Sequence, residues 1–182
     1  KDGQIIAIDS SGIKLYQSGE WIREKHGKRK PFLKLHIAVN VETKQAVATE
    51  LTEDSVSDNK IDEILLEKAE KIAEVDAVLE DGAYDTYENW ARLDRKSIKA
   101  GIRLRKDAIN KGLNPRAKTV RYIEKKGLEQ WKKELGYGKR WLAEIWYSVF
   151  KRRFGEYCSN VKPENIIQEL LFKSMLCNQM IT

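Results

Sequence analysis

Residues 75–81, Val-Asp-Ala-Val-Leu-Glu-Asp, form a short apolar run that ends in a carboxylate and is followed by a glycine. Residues 4–9, Gln-Ile-Ile-Ala-Ile-Asp, have the same pattern and lead into Ser10-Ser11-Gly12, which we interpret as turn residues. Both runs predict short buried strands, which end at Asp9 and Asp81. Parallel neighbours would bring the two aspartates to one sheet edge, where open α/β sheets usually place ligands. The alternative is that each aspartate caps the turn that follows it.

The segments around these two strands predict an α/β protein with a mixed sheet flanked by helices. Three strands come first in the chain, and a helix–strand–helix–strand series follows them. The stretch 12–31 is basic, and we interpret it as a strand with a mobile loop. The predicted strands cover 4–9, 33–41, 46–51, 75–80 and 102–104, and the predicted helices cover 57–74, 84–96, 120–135, a segment ending near 153, and 163–175 or beyond.

Composition and charge narrow the class of protein. The chain has 182 residues and a net charge of +6, with 41 % hydrophobic and 34 % charged residues. Residues 101–153 hold 16 Lys and Arg against 5 Asp and Glu, which favours a polyanion partner, although a charged stretch is often only a solvated face. No apolar run is long enough to cross a membrane. Two cysteines without paired spacing exclude a zinc ribbon and indicate a reduced, cytoplasmic protein.

A late helix supplies a third carboxylate. At 100° per residue, Tyr137, Arg140, Glu144 and Lys151 fall on one narrow stripe, opposite an apolar side that faces the core. The glycine at 138 leaves open whether the tyrosine lies inside the helix. Arg140 and Glu144 alone could be an ordinary surface ion pair, but that interpretation does not explain why so many bases surround one acid.

Three carboxylates from separate elements are suited to Mg²⁺ or Mn²⁺, which prefer oxygen ligands. Two such ions about 4 Å apart can clamp the attacking and leaving oxygens of a phosphoryl displacement. Glu80 is a rival ligand, but strand alternation directs it to the face opposite Asp81.

The chain resembles the DDE transposases of prokaryotic insertion sequences over about residues 4–178. Tyr137, Arg140, Glu144 and Lys151 match the Y-(2)-R-(3)-E-(6)-K signature of one large branch. Asp9-Ser10-Ser11-Gly12 resembles the first aspartate block of that family, and Asp81-Gly82-Ala83-Tyr84-Asp85 resembles the second.

This resemblance implies an RNase H-like fold, with the catalytic glutamate on a late helix, and an active site that holds two Mg²⁺ or Mn²⁺ ions. Asp9, Asp81 and Glu144 would be both the catalytic residues and the metal ligands. The implied reaction is cleavage of DNA at the ends of the element, followed by attack of the freed 3′-hydroxyl on target DNA. Tyr137, Arg140 and Lys151 would lie near the scissile or flanking strand.

We expect further DNA contacts from Arg103, Arg105 and Lys106, which follow a predicted strand. The expected partners are the inverted-repeat ends of the element, target DNA and a second copy of the chain in a homodimer. The expected location is the cytoplasm, on nucleoid DNA.

We interpret residues 1–182 as one catalytic domain, with a small insertion at about 107–136 and a C-terminal helix at 163–181. The N-terminal domain that binds element ends in relatives is expected to be absent from it. Two other functions stay open. One is an RNase H-like nuclease without strand transfer, and the other is a catalytically inactive remnant that only binds DNA.

Overall fold

The structure, a computed structural model, describes residues 3–15, 32–53, 55–160 and 162–181. Its central element is a six-stranded mixed sheet. The strands are β1 (Gln4–Leu15), β2 (Phe32–Asn40), β3 (Ala46–Glu53), β4 (Val75–Glu80), β5 (Lys99–Ile102) and β6 (Tyr157–Cys158).

The strand order is β3-β2-β1-β4-β5, and β6 pairs with the end of β1. β1, β2 and β3 are antiparallel neighbours, whereas β4, β5 and β6 run parallel to the strands they pair with. Parallel strands need crossover connections, and helices supply them here. The predicted class, an α/β RNase H-like mixed sheet flanked by helices, is confirmed.

Helices cover both faces of the sheet. The helices are α1 (Asp62–Glu70), α2 (Tyr87–Arg95), α3 (Pro115–Lys126), α4 (Leu128–Leu135), α5 (Trp141–Phe154) and α6 (Pro163–Ile181). One face packs against α1 and α2, and the other packs against α4, α5 and α6, while α3 contacts α2 and α4. None of the helices in the described ranges is both long and apolar enough to cross a bilayer.

Side-chain alternation along the inner strands assigns residues to the two faces. Ala7 and Leu79 are buried on the face that carries α5, and Ile6 and Val78 are buried on the face that carries α1. Because both faces are covered, the inner strands are apolar almost throughout rather than at every second residue.

Strand β1 is longer than predicted. The sequence predicted that it ends at Asp9, but it continues through Ser10-Ser11-Gly12 to Leu15. In this second half, Ser10 lies opposite His36 of β2, and the pairing continues until Lys14 lies opposite Phe32, the first residue of β2. Cross-strand pairing therefore overrides the turn tendency of two serines and a glycine. Residues 16–31, which include most of the predicted mobile loop, lie outside the described ranges.

Three predicted helices have different bounds. The helix predicted at 57–74 is a 3-10 turn at Asp58–Lys60 followed by α1. The helix predicted at 84–96 begins only at Tyr87, because the Thr86 hydroxyl caps it by accepting the Asn89 N–H.

The helix predicted at 120–135 is two helices, α3 and α4. They are separated by Gly127, whose φ of 89° is one that other residues rarely adopt. The strand predicted at 102–104 lies instead at Lys99–Ile102, where it pairs with β4.

Candidate active site

Asp9 lies in the middle of β1, at the point where β1 leaves its parallel neighbour. The last residues that pair β1 with β4 are Ala7 and Leu79, and Asp9 and Asp81 each follow two residues later. Both aspartates therefore lie on the sheet face that packs against α5. The Asp9 Oδ1 accepts the N–H of Ser10 at 2.9 Å.

Asp81 follows β4 and opens a 3-10 turn at Gly82–Tyr84. Its Oδ1 accepts the N–H of Ala83 at 2.8 Å, so the capping that the sequence left open as an alternative is present at this residue. Glu80, one position earlier, is buried on the opposite face and accepts a hydrogen bond from the Asn89 side chain at 3.1 Å. Burial raises the pKa of Glu80 well above its ordinary value, with a smaller contribution from Asp81. Glu80 is therefore separated from the two aspartates by the sheet itself.

Glu144 lies in the first turn of α5, and its side chain is 56 % exposed. It forms an ion pair with Arg140, whose guanidinium is more deeply buried. The apolar side of α5 packs on the sheet through Trp146 and Phe150, as the helical stripe predicted.

Two of the carboxylates act electrostatically on the third. The pKa of Asp9 is raised to about 6, first by burial and then by the charges of Asp81 and Glu144. The Ser10 N–H and the Arg140 guanidinium act in the opposite direction. These contributions require that Asp81, Glu144 and Arg140 all lie near Asp9. The structure thus gathers the three predicted acids and one predicted base into a single cluster.

The oxygen donors of this cluster are those that Mg²⁺ and Mn²⁺ prefer. In the described ranges, no three His, Cys, Asp or Glu side chains are already arranged to hold a metal ion. Glu144 is instead turned to Arg140. The chemistry of the donors and the accumulated negative charge around Asp9 fit a divalent cation.

Tyr137 lies in a 3-10 turn (Tyr137–Arg140) that precedes α5, rather than within the helix. Its ring is 9 % exposed and packs on Trp131, and its hydroxyl donates to the backbone oxygen of Glu80 at 2.9 Å. A DNA contact by Tyr137 stays a prediction, and only a small part of its surface is open to one.

Lys151 lies two turns after Glu144 on α5, and its side chain is 31 % exposed. Its ammonium is 3.5 Å from the Glu156 carboxylate, which also pairs with Lys14 at 3.0 Å. Lys151 therefore extends the polar stripe beyond the carboxylate cluster. A DNA contact by Lys151 stays a prediction.

The predicted bases after β5 lie beside the turn that Asp81 caps. Arg103, Arg105 and Lys106 are all exposed. The Arg105 guanidinium donates to the backbone oxygens of Gly82 at 2.9 Å and Ala83 at 3.2 Å. Arg105 is thus held next to Asp81, on the border of the candidate site.

A buried ion pair that the sequence analysis did not identify supports the Asp81 turn. Asp85 accepts two hydrogen bonds from Arg116 of α3, at 2.7 and 2.8 Å, and one from the indole of Trp90 at 2.8 Å. Burial raises the pKa of Asp85, but these hydrogen bonds and one from the Arg105 N–H outweigh burial and lower it overall. The available signal was the second acid of the Asp81–Asp85 block, which needs a cation once it is buried.

Tyr147 is the other contributor that the sequence analysis did not identify. It is buried, and its hydroxyl lies 2.5 Å from the backbone oxygen of Leu35 and 3.2 Å from the backbone oxygen of Asp9. A buried tyrosine usually finds a partner for its hydroxyl, so its place one turn after Glu144 was the available signal.

A cleft of about 680 Å³ lies away from the carboxylates, between β5, α3 and α4. Trp90, Lys118, Tyr122 and Trp131 are among its lining residues. None of the three acids lines it, so we locate the candidate site at the carboxylate cluster, where the charges converge.

Comparison with known protein families identifies a match that spans almost the whole chain. The family model described as the transposase DDE domain matches residues 1–178. The match includes all three carboxylates of the cluster and every predicted DNA-contacting residue.

Proposed function

The chain belongs to the transposase DDE domain family, and from this membership we infer that it cuts DNA at element ends and transfers the freed 3′ ends to target DNA. The family supports a transposase function and DNA as the partner. The order of the reaction steps, the residues that perform them and the metal requirement are our proposal.

The observation that carries the proposal is the position of Asp9. This carboxylate is largely buried, and two further carboxylates, Asp81 and Glu144, raise its pKa. Placing a largely buried carboxylate beside two further acids costs free energy unless a cation compensates the charge. We propose that these three acids hold two divalent ions, Mg²⁺ or Mn²⁺. When bound, the ions supply Lewis-acid activation and neutralise charge on the phosphate.

The bases around the cluster would hold the DNA backbone. Arg140 already neutralises Glu144, and Lys151 lies further along the same stripe of α5. Arg103, Arg105 and Lys106 extend this positive charge along the border of the site. Such residues bind phosphates through charge and give affinity that falls steeply with salt.

Joining two element ends to one target would use two copies of the chain, one at each end. We therefore propose that a homodimer forms when the ends are brought together. Action on element ends would place the chain in the cytoplasm, on nucleoid DNA.

The proposal is tested by nicking of DNA that carries the cognate ends, with the full reading frame and with Mg²⁺ or Mn²⁺. We expect Asp9→Asn, Asp81→Asn and Glu144→Gln each to lower the nicking rate by about 100-fold or more, because each removes a metal ligand. Glu129→Gln is the matched control, since Glu129 is 84 % exposed on α4, and it should nick like the parent. Variants of the three acids that nick as well as the parent would refute the assignment.

The products separate the alternative functions. Joined target DNA supports a transposase, whereas nicked ends without any joined product indicate a nuclease of the same fold. A chain that binds DNA equally in EDTA and in Mn²⁺, and never cuts it, is an inactive DNA-binding remnant.

A further inference from the structure

Two tyrosine hydroxyls join the segment that carries Glu144 to the two strands that carry the aspartates. The hydroxyl of Tyr147 lies 2.5 Å from the backbone oxygen of Leu35 and 3.2 Å from the backbone oxygen of Asp9. The hydroxyl of Tyr137 donates to the Glu80 oxygen at 2.9 Å. Both side chains are buried, so water does not compete for these carbonyls.

The residues that make these hydrogen bonds lie close to the three acids in the sequence. Tyr147 follows Glu144 by three residues on the same helix and contacts the carbonyl of Asp9 itself. Tyr137 precedes Glu144 by two turns of chain and contacts the carbonyl of the residue immediately before Asp81. Asp9 is therefore connected to the Glu144 segment through its own carbonyl, and Asp81 through the carbonyl of the preceding Glu80.

Apolar packing alone does not fix the position of a helix on a sheet to a fraction of an ångström, because hydrophobic contacts are not directional. The face of α5 that touches the sheet is largely apolar, with Trp146 and Phe150 stacked at 5.3 Å between ring centroids. Hydrogen bonds require particular distances and angles, so the two hydroxyls limit sliding and rotation of α5 along the sheet.

We propose that Tyr137 and Tyr147 are positioning residues that hold Glu144 in register with Asp9 and Asp81, so that the three carboxylates can share divalent ions. This inference rests on the proposed function, because it assumes that the acids bind metal. It goes beyond that function by assigning the geometry of the site to two groups that do not bind the metal themselves.

A simpler role is that each tyrosine satisfies its own hydroxyl and stabilises the fold generally. The two roles differ in their dependence on Glu144. If the hydroxyls act by placing Glu144, their removal should matter only while Glu144 is present. A general stabilising role would affect the chain equally with and without that acid.

The experiment measures Mn²⁺ affinity of the full chain without DNA, from the electron paramagnetic resonance signal of free Mn²⁺. The variants are Tyr147→Phe and Tyr137→Phe, each in the parent and in a Glu144→Gln background. Each change removes a single oxygen, and thermal unfolding shows whether the variant is folded. Tyr122→Phe is the matched control, because its hydroxyl donates to Glu134 on the surface at 2.6 Å.

We expect each Phe variant to raise the Mn²⁺ dissociation constant by about five-fold, the ratio that corresponds to one net hydrogen bond. In the Glu144→Gln background this factor should shrink to about one, and Tyr122→Phe should match the parent throughout.

Three results would overturn the inference, and they have different meanings. Parent-like Mn²⁺ affinity in both Phe variants, with binding lost in Asp9→Asn, refutes the positioning role and leaves the proposed function intact. A five-fold loss of Mn²⁺ affinity that persists in the Glu144→Gln background shows that the tyrosines have only a general structural role. Absence of Mn²⁺ binding by the parent, or unchanged binding in Asp9→Asn, contradicts the proposed function itself.

Discussion

Asp9 is the residue whose ionisation the fold opposes most clearly within the candidate site. Burial together with the charges of Asp81 and Glu144 raises its pKa to about 6 from the ordinary value of 3.8. At neutral pH the folded chain therefore holds an ionised carboxylate in a place that disfavours the charge. Residues that serve a reaction often carry such a cost in stability.

We expect Asp9→Asn to stabilise the chain at pH 7.5 in EDTA by about 3 kcal/mol, since the pKa of Asp9 rises from 3.8 to about 6 and a shift of one unit corresponds to about 1.4 kcal/mol. The native pKa lies above the unfolded one, so the native state binds the proton more tightly. Relative to the variant, the parent keeps its full free energy of unfolding below about pH 4, near the unfolded pKa. It loses this stability as the pH rises through 6, the native pKa. Urea unfolding of parent and variant at pH 7.5 and at pH 3 measures the difference in the free energy of unfolding.

At pH 3 the two chains should differ by less than about 0.5 kcal/mol, because Asp9 is then mostly protonated in both the native and the unfolded state. Glu129→Gln, which changes an exposed carboxylate, is the control at both pH values. A variant that is less stable than the parent at pH 7.5 would contradict the expected direction.

Single residues also show what the sequence could predict about the site. Asp9, Asp81 and Glu144 could be selected from the sequence because each has a recognisable local setting, and Asp81 and Glu144 both act on the pKa of Asp9. Their role as metal ligands stays a prediction. Tyr147 was not identifiable as a contact of Asp9, because helical spacing shows only that a side chain is buried. Its hydrogen-bond partners come from strands more than one hundred residues earlier in the chain.

At the scale of elements, the turn after β4 depends on α3. The bidentate pair between Asp85 and Arg116 is largely shielded from water, and the Arg116 guanidinium also lies over the Tyr87 ring at 5.3 Å. This contact connects the 3-10 turn that Asp81 caps to the helices beyond β5. The position of Asp81 therefore depends on a helix that contributes no acid to the site.

Removing one partner of this buried pair should be costly. We expect Arg116→Ala to lower the free energy of unfolding by about 3 kcal/mol, because Asp85 is left buried and charged. Urea unfolding at pH 7 measures the loss.

Lys132→Ala, which breaks the exposed pair with Glu129, serves as the control and should change stability by less than about 1 kcal/mol. Equal losses in Arg116→Ala and Lys132→Ala would show that the Asp85 pair has no special role.

Elements with strong periodicity were predicted well, and elements governed by distant pairing were not. Strand β4 has the predicted bounds, and β2 and β3 differ from theirs by at most two residues at either end. The second half of β1 was missed, because its polar residues are strand-forming only when β2 lies beside them. The division between α3 and α4 was also missed, although Gly127 was a visible signal for a helix end.

At the scale of the whole molecule, positive charge collects in the later part of the chain. Residues 101–153 hold 16 Lys and Arg against 5 Asp and Glu, and this part supplies both Glu144 and the predicted DNA-contacting bases. We propose that DNA lies along this region, across the carboxylate cluster. Binding of this kind depends on the release of counterions from DNA.

We expect Lys151→Ala and Arg140→Ala each to weaken DNA binding and to reduce the slope of log affinity against log salt by about one. Titration of element-end DNA at several salt concentrations measures both quantities. Lys71→Ala is the control, because Lys71 is exposed on the side of the sheet that carries α1. An unchanged slope in Lys151→Ala and Arg140→Ala would remove both residues from the path of the DNA.

The alternation of Glu80 and Asp81 at the end of β4 has a consequence for how this chain can change in length. The first carboxyl is buried beside Asn89, and the second faces α5 and the Asp9 cluster. Inserting or deleting a single residue within β4 would exchange them, placing a longer acid at the cluster and an aspartate in the closed interior. Related genes should therefore tolerate insertions and deletions in the connections on either side of β4, but not within the strand itself.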